Sequence, residues 1–248
     1  MDFTRIKYGK AEHIGWIRVA EVPGGQEGFE GLVYEISDAC AAIASDNDVW
    51  VVVFTGVEKI SLLPATDAGK NPTSLSLTRP LAGIVKPLIA GISGDVIGLG
   101  LEVILACDIR IAAEQSRFGS NHLERGSIPH EGGTQRLSRL VGKGKALEML
   151  LTGNIIDSKE AYRIGLINKI VDGQDLDDVI RDTALEMASK SPIALNYAKE
   201  TINAGMDMTL DQGLRLEADL YMLMHTSSDR TEGIRAFQEK RTPQFKGQ

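Results

Sequence analysis

Cysteine and histidine are scarce in this 248-residue chain, with two of the former and four of the latter. Cys40 and Cys107 each sit inside an apolar run. A disulfide framework is therefore excluded as the source of stability, and a reducing, cytoplasmic compartment is expected. Neither cysteine has a partner at metal-ligand spacing, and His130-Glu131 lacks the second histidine of a His-Glu-x-x-His motif, so no metal centre is expected. Basic residues are outnumbered by acidic ones, 27 to 34, for a net charge of -7. That balance argues against a nucleic-acid partner, while leaving room for a local basic pocket around a phosphorylated cofactor. No run approaches the roughly 18 consecutive apolar residues that cross a bilayer, and the first residues carry no apolar signal segment, so no membrane partner is expected. A Gly-x-Ser-x-Gly elbow is missing too, which excludes the commonest serine-hydrolase arrangement.

What is present is a 43% hydrophobic chain long enough to bury one large α/β core. His13 to Ala20 reads as an early strand. Phe29, Leu32, Val33, Ile36, Cys40 and Ile43 recur at three- and four-residue steps and predict an amphipathic helix. The runs Val51 to Phe54 and Leu88 to Ile92 predict buried strands, with a loop over a site from Leu62 to Pro80 between them. A short helix from Leu99 to Ala106 and a strand from Ile109 to Ala112 follow. Beyond Gly133 helices dominate, interrupted by a strand near Leu166 to Val171. Ser191-Pro192 opens one of them as N-cap and first helical residue, and Thr209 with Gln212 forms a capping box for the next. No linker, repeat or low-complexity tract divides the chain.

Glu102 stands out, because the stretch Leu99-Gly-Leu-Glu-Val-Ile-Leu-Ala-Cys107 is otherwise apolar or small. A carboxylate in poorly hydrated surroundings is costly unless paired, so it is a candidate acid or base. A second reading has it bridging to a neighbouring chain. Leu99 lies one turn earlier, where free main-chain amides and the helix dipole favour an oxyanion. Gly94, Gly98 and Gly100 do not complete a dinucleotide-binding fingerprint; they allow close approach of main chain to a ligand carbonyl.

Ile97-Gly-Leu-Gly-Leu-Glu102, Cys107-Asp-Ile-Arg-Ile-Ala-Ala-Glu114, Phe118-Gly119 and Gly132-Gly-Thr-Gln-Arg-Leu137 resemble the signature of the enoyl-CoA hydratase/isomerase (crotonase) superfamily. Thr152-Gly153, Ala161 to Asn168 and the tail from Glu232 to Gly247 extend the resemblance over nearly the whole chain. It implies an α/β fold in which a crotonase-type spiral of ββα repeats occupies residues 1–190. A C-terminal helical region, residues 191–248 of the same continuous domain, would mediate a homotrimer or a hexamer built as a dimer of trimers. It also implies chemistry on an acyl-CoA, with CoA as part of the substrate thioester and no covalently bound cofactor.

Within that resemblance, the oxyanion-hole amides fall to Leu99 and Ala65, although Pro64 stands where the family usually has glycine. Glu102 matches the first catalytic glutamate, whereas the second glutamate's place is held by His122. The family's 6-oxocamphor hydrolase branch, which cleaves cyclic β-diketones, carries a histidine–aspartate pair at the places of His122 and Glu131. A carboxylate on one imidazole nitrogen would make the other a water-activating base. His130, between them, reads as a solvent-exposed loop histidine. Phe245 and Lys246 match tail residues that approach the CoA nucleotide. A short span from Asp67 to Lys86-Pro87 trims one wall of the acyl pocket and favours a bulky or cyclic acyl group. The preferred expectation is thus a hydratase or isomerase acting on an unsaturated or cyclic acyl-CoA, with Glu102 and His122 as catalytic residues, Glu131 being paired with His122 as the catalytic residues of the hydrolase alternative. The alternatives are a CoA-independent hydrolase of a small cyclic diketone and a non-catalytic partner subunit.

Overall fold

β-branched runs with no polar face need cover on both sides, and the fold supplies it. The computed structural model describes residues 3–21, 24–61 and 75–248. Its strands are β1 (Ile6–Ala11), β2 (Ile14–Val19), β3 (Val51–Thr55), β4 (Leu88–Ile92), β5 (Val96–Ile97), β6 (Ile109–Ala113), β7 (Arg117–Gly119), β8 (Ile156–Asp157) and β9 (Lys169–Val171). Its helices are α1 (Gln26–Ser45), α2 (Val57–Ser61), α3 (Thr78–Ala82), α4 (Leu99–Ile104), α5 (Gly133–Val141), α6 (Lys143–Thr152), α7 (Ser158–Arg163), α8 (Leu176–Ala188), α9 (Pro192–Gly205), α10 (Leu210–Met224) and α11 (Ser228–Glu239).

One sheet has the order β1-β2-β3-β4-β6-β9 and a smaller one the order β5-β7-β8. In the larger sheet β1 and β2 are antiparallel and the remaining pairs parallel. Every residue of β3 and β4 is buried. Val52, Phe54, Leu88 and Ala90 face a core shared with α1 and α4, and the alternate residues Val51, Val53 and Ile89 face α8. At the C-terminal end, Ser191 caps α9 by accepting from the Ala194 amide, with Pro192 at its first position. Thr209 and Gln212 cap α10 reciprocally. Among the described residues no helix is long and apolar enough to cross a membrane.

Two differences from the sequence expectations have physical causes. β1 gave no signal because only Ile6 in it is buried. Its two-residue turn to β2 is Glu12-His13, both with positive φ, where Asn-Gly is the usual marker. Stacking of His13 on Trp50 at 3.9 Å and a bond between its Nδ1 and the Asp48 carbonyl hold that conformation. The stretch Leu62 to Pro80, expected as a loop, ends in α3; residues 62–74 lie outside the described residues. Pro80 fits α3 because the first helical turn needs no amide from it.

Glu35 of α1 ties down the chain before β1 by accepting from the amides of Thr4, Arg5 and Ile6 and from the Thr4 hydroxyl. Burial pushes its pKa up, but the Thr4, Arg5 and Ile6 donors outweigh that and hold it below the usual carboxylate value. A depressed folded-state pKa contributes stability above the unfolded value, and that stability disappears as pH falls through the folded value. Glu35→Gln is therefore expected to lower the melting temperature by about 3–6 °C at pH 7. The gap from wild type should begin to narrow as pH falls below the ordinary glutamate value of about 4.3 and close only once pH has passed the lower folded value.

Candidate active site

Gly98 starts the site. Its φ of +62° is disfavoured for other residues, and a Cβ there would lie 2.7 Å from Asn121 Oδ1. The glycine lets β5 turn directly into α4, leaving the Leu99 amide at the helix start; among the described residues it donates to no protein acceptor. One turn later Glu102 points inward and is 1% exposed. Its Oε1 accepts from the amides of Glu131 at 2.8 Å and Gly133 at 3.0 Å. Oε2 has no hydrogen-bond donor among the described residues. His122 Nε2 stands 3.1 Å from it but off the line of a good hydrogen bond.

His122 is brought there by the smaller sheet. The Gly98 amide bonds the Gly119 carbonyl, drawing the end of β7 alongside the start of α4. The chain then enters a 3-10 turn, Leu123–Arg125, where the His122 carbonyl accepts from the amides of Arg125 and Ser127. The buried imidazole is held from behind by Ser120 Oγ, 3.0 Å from Nδ1. Glu102 Oε2 and His122 Nε2 thus meet in a buried position, an arrangement through which a proton could pass.

Glu131 does not complete a pair with His122. It is buried, but its carboxylate turns to the start of α3, where it accepts from Ser76 Oγ, the Leu77 and Thr78 amides and Thr78 Oγ1. This corrects the expected histidine–carboxylate dyad. The N-cap residue of α3, Leu77, has no capping side chain; Ser76 Oγ accepts from the Arg79 amide, and the amides of Leu77 and Thr78 draw the nearest carboxylate. Imidazole support comes from Ser120 instead, which sequence reasoning missed; nothing local marked that serine's partner. Removing the Glu131 carboxylate strands buried donors, so Glu131→Ala is expected to cost about 2–3 kcal/mol in chemical denaturation. The main-chain amide holding Glu102 persists in that variant.

His130 is exposed, yet one of its ring nitrogens lies within 4.8 Å of donor atoms of both Glu102 and His122. The expectation of no metal centre rested on spacing within single segments; the fold draws this cluster from three. Leu99, expected as one oxyanion donor, is the first residue of α4, and Ala65, expected as the other, lies outside the described residues. Phe245 and Lys246 do not join the site within one chain. Asp229 receives the amides of Lys246 and Gly247, and Phe245 packs on the sheet face opposite to α4. Burial pushes the thiols of Cys40 and Cys107 up to about 12, which leaves neither as a nucleophile at neutral pH.

Known proteins resemble this chain over most of its length. A family model described as enoyl-CoA hydratase/isomerase matches residues 30–248. The crotonyl-CoA hydratase of Syntrophomonas wolfei is 35% identical over 223 residues, which is 85% of this chain and 86% of that protein. The mitochondrial enoyl-CoA hydratase of Pongo abelii is 36% identical over 251 residues, 98% of this chain and 87% of its own. The crystal structure of an enoyl-CoA hydratase from Bacillus anthracis superposes with a TM-score of 0.87 at 33% identity, covering 99% of this chain and 100% of the other. A fold that superposes over nearly its whole length and a family match running from α1 to the last residue carry one conclusion: the chain belongs to the enoyl-CoA hydratase/isomerase family.

Proposed function

We propose that this protein hydrates or isomerises an unsaturated or cyclic acyl-CoA, with Glu102 as the proton-transferring carboxylate. The observation that carries this reading is the two-sided environment of Glu102. Oε1 is immobilised by two main-chain amides, while Oε2 is buried, without a donor among the described residues, and beside His122. A carboxylate so held accepts a proton at a defined point with little reorganisation.

In hydration, Oε2 takes a proton from water as its oxygen bonds to the β-carbon of the enoyl thioester. The electron pair of the double bond moves toward the thioester carbonyl, giving an enolate oxygen for the Leu99 amide to bind. Each donor aimed at such charge in a dry site contributes about 3 kcal/mol. The second donor by resemblance is Ala65. Return of a proton to the α-carbon completes addition of water. His122, in the place of the family's second glutamate, delivers that α-carbon proton from Nε2 and recovers it from Glu102 Oε2, its ring oriented by Ser120; the second hydrogen of the water stays on the new hydroxyl.

The oligomer is proposed on separate grounds. Residues 1–190 are the spiral core and 191–248 the association region of one continuous domain. Ile202 on α9, Met206 just after it, Leu214 and Tyr221 on α10 and Phe237 on α11 are exposed. A trimer, or two trimers paired, would cover them, and Phe245 and Lys246 would then reach the CoA nucleotide of a neighbouring subunit.

The test sets substrates side by side: hydration of crotonyl-CoA, ring opening of a cyclic 1,3-diketone, and melting curves with acetoacetyl-CoA and with free CoA. Turnover of the thioester and a raised melting temperature with acetoacetyl-CoA are expected. Ring opening without either result would replace this reading with the hydrolase.

A further inference from the structure

Proton transfer uses Glu102 and His122 and leaves His130 without a task, although all three converge. Glu102 comes from α4, His122 from the segment after β7 and His130 from the loop before α5. One carboxylate oxygen and one nitrogen of each imidazole lie within 4.8 Å of one another. The 3.1 Å between Glu102 Oε2 and His122 Nε2 is a misaligned hydrogen bond. It also lies between the separations of about 2.9 Å and about 3.35 Å that two donors, each about 2.0–2.1 Å from one ion, take at octahedral and tetrahedral angles. A buried carboxylate oxygen without a donor is costly, and a cation between it and the imidazole removes that cost.

The surroundings hold each donor as metal sites do. Glu102 Oε1 is fixed by two amides, so Oε2 is free to act as a monodentate ligand. Ser120 Oγ beside His122 Nδ1 can accept its proton, which presents the Nε2 lone pair to the cluster. His130 is exposed and closes the cluster on its solvent side, leaving coordination positions open there. Two imidazoles and one carboxylate select a first-row transition dication over Mg²⁺ or Ca²⁺, which prefer oxygen.

We propose that Glu102, His122 and His130 form a binding site for a divalent ion of the Zn²⁺ class. An ion bound to Oε2 and Nε2 occupies the atoms that would otherwise move protons, so the metal-loaded form is silent in hydration. Binding itself does not depend on the hydratase reading.

Chelator-treated protein titrated with Zn²⁺ by calorimetry, and with Co²⁺ by visible absorption, tests the site. We expect one ion per chain at a Kd on the order of 1 µM, Co²⁺ bands of low-symmetry nitrogen–oxygen coordination, and no heat from Mg²⁺. His130→Ala alters an exposed side chain, and its metal-free melting curve checks the fold. That variant should bind Zn²⁺ about 100-fold more weakly, and Glu102→Gln likewise. No saturable Zn²⁺ binding by wild type, or binding undiminished in both variants, overturns the proposal. Crotonyl-CoA turnover in excess chelator reads the hydratase function separately, so either idea can fail alone.

Discussion

Glu102→Gln is expected to lower turnover of the acyl-CoA substrate by at least about 100-fold, the scale of losing a general acid or base. Glutamine is nearly isosteric, and its carbonyl oxygen can still accept from the Glu131 and Gly133 amides. Its amide nitrogen then lies where Oε2 was, beside His122, and can donate but not take a proton. The loss should therefore fall on kcat, with KM and the melting temperature close to wild type. Steady-state kinetics together with a melting curve check this, and wild-type turnover would remove Glu102 from the mechanism. The reading of the chain as a non-catalytic partner subunit would instead be favoured by wild-type protein that turns over no acyl-CoA, in an organism whose pathway flux is unchanged by Glu102→Gln.

Gly133→Ala is the second large effect, and it acts through position alone. A Cβ on Gly133 would sit 2.8 Å from Pro129 Cβ and 2.9 Å from Glu102 Cγ. Neither neighbour can retreat easily: the proline is a ring, and the glutamate stem is buried and tied at Oε1. Overpacking of this kind costs about 1–3 kcal/mol in stability. Displacing the carboxylate by about 1 Å costs on the order of 100-fold in turnover. Loss of turnover larger than the loss of stability explains is the expected signature. A variant with full activity would show that the glycine is not needed to seat Glu102.

Much of the scaffold is legible in the residues because its signals are local. The β-branched runs of β3 and β4, the periodic apolar face of α1, and the caps at Ser191 and Thr209 each need only neighbours in sequence. Where the stabilising group is remote, the local signal fails. β1 depends on a hairpin turn held by Trp50 and Asp48, and α3 is capped by a glutamate from another segment.

The site divides the same way. The sequence by itself determined that a glutamate at 102 sits in an apolar helix one turn after a glycine-hinged start, because hydrophobicity and glycine placement are properties of the chain. Only the tertiary structure decided the partners of that glutamate. His122 and His130 approach it, whereas Glu131 lends it a main-chain amide and sends its own carboxylate to α3. The physical reason is competition for hydrogen bonds: a buried carboxylate goes to the nearest unsatisfied amides, and which amides are nearest is settled by how helices and strands pack, not by their order along the chain.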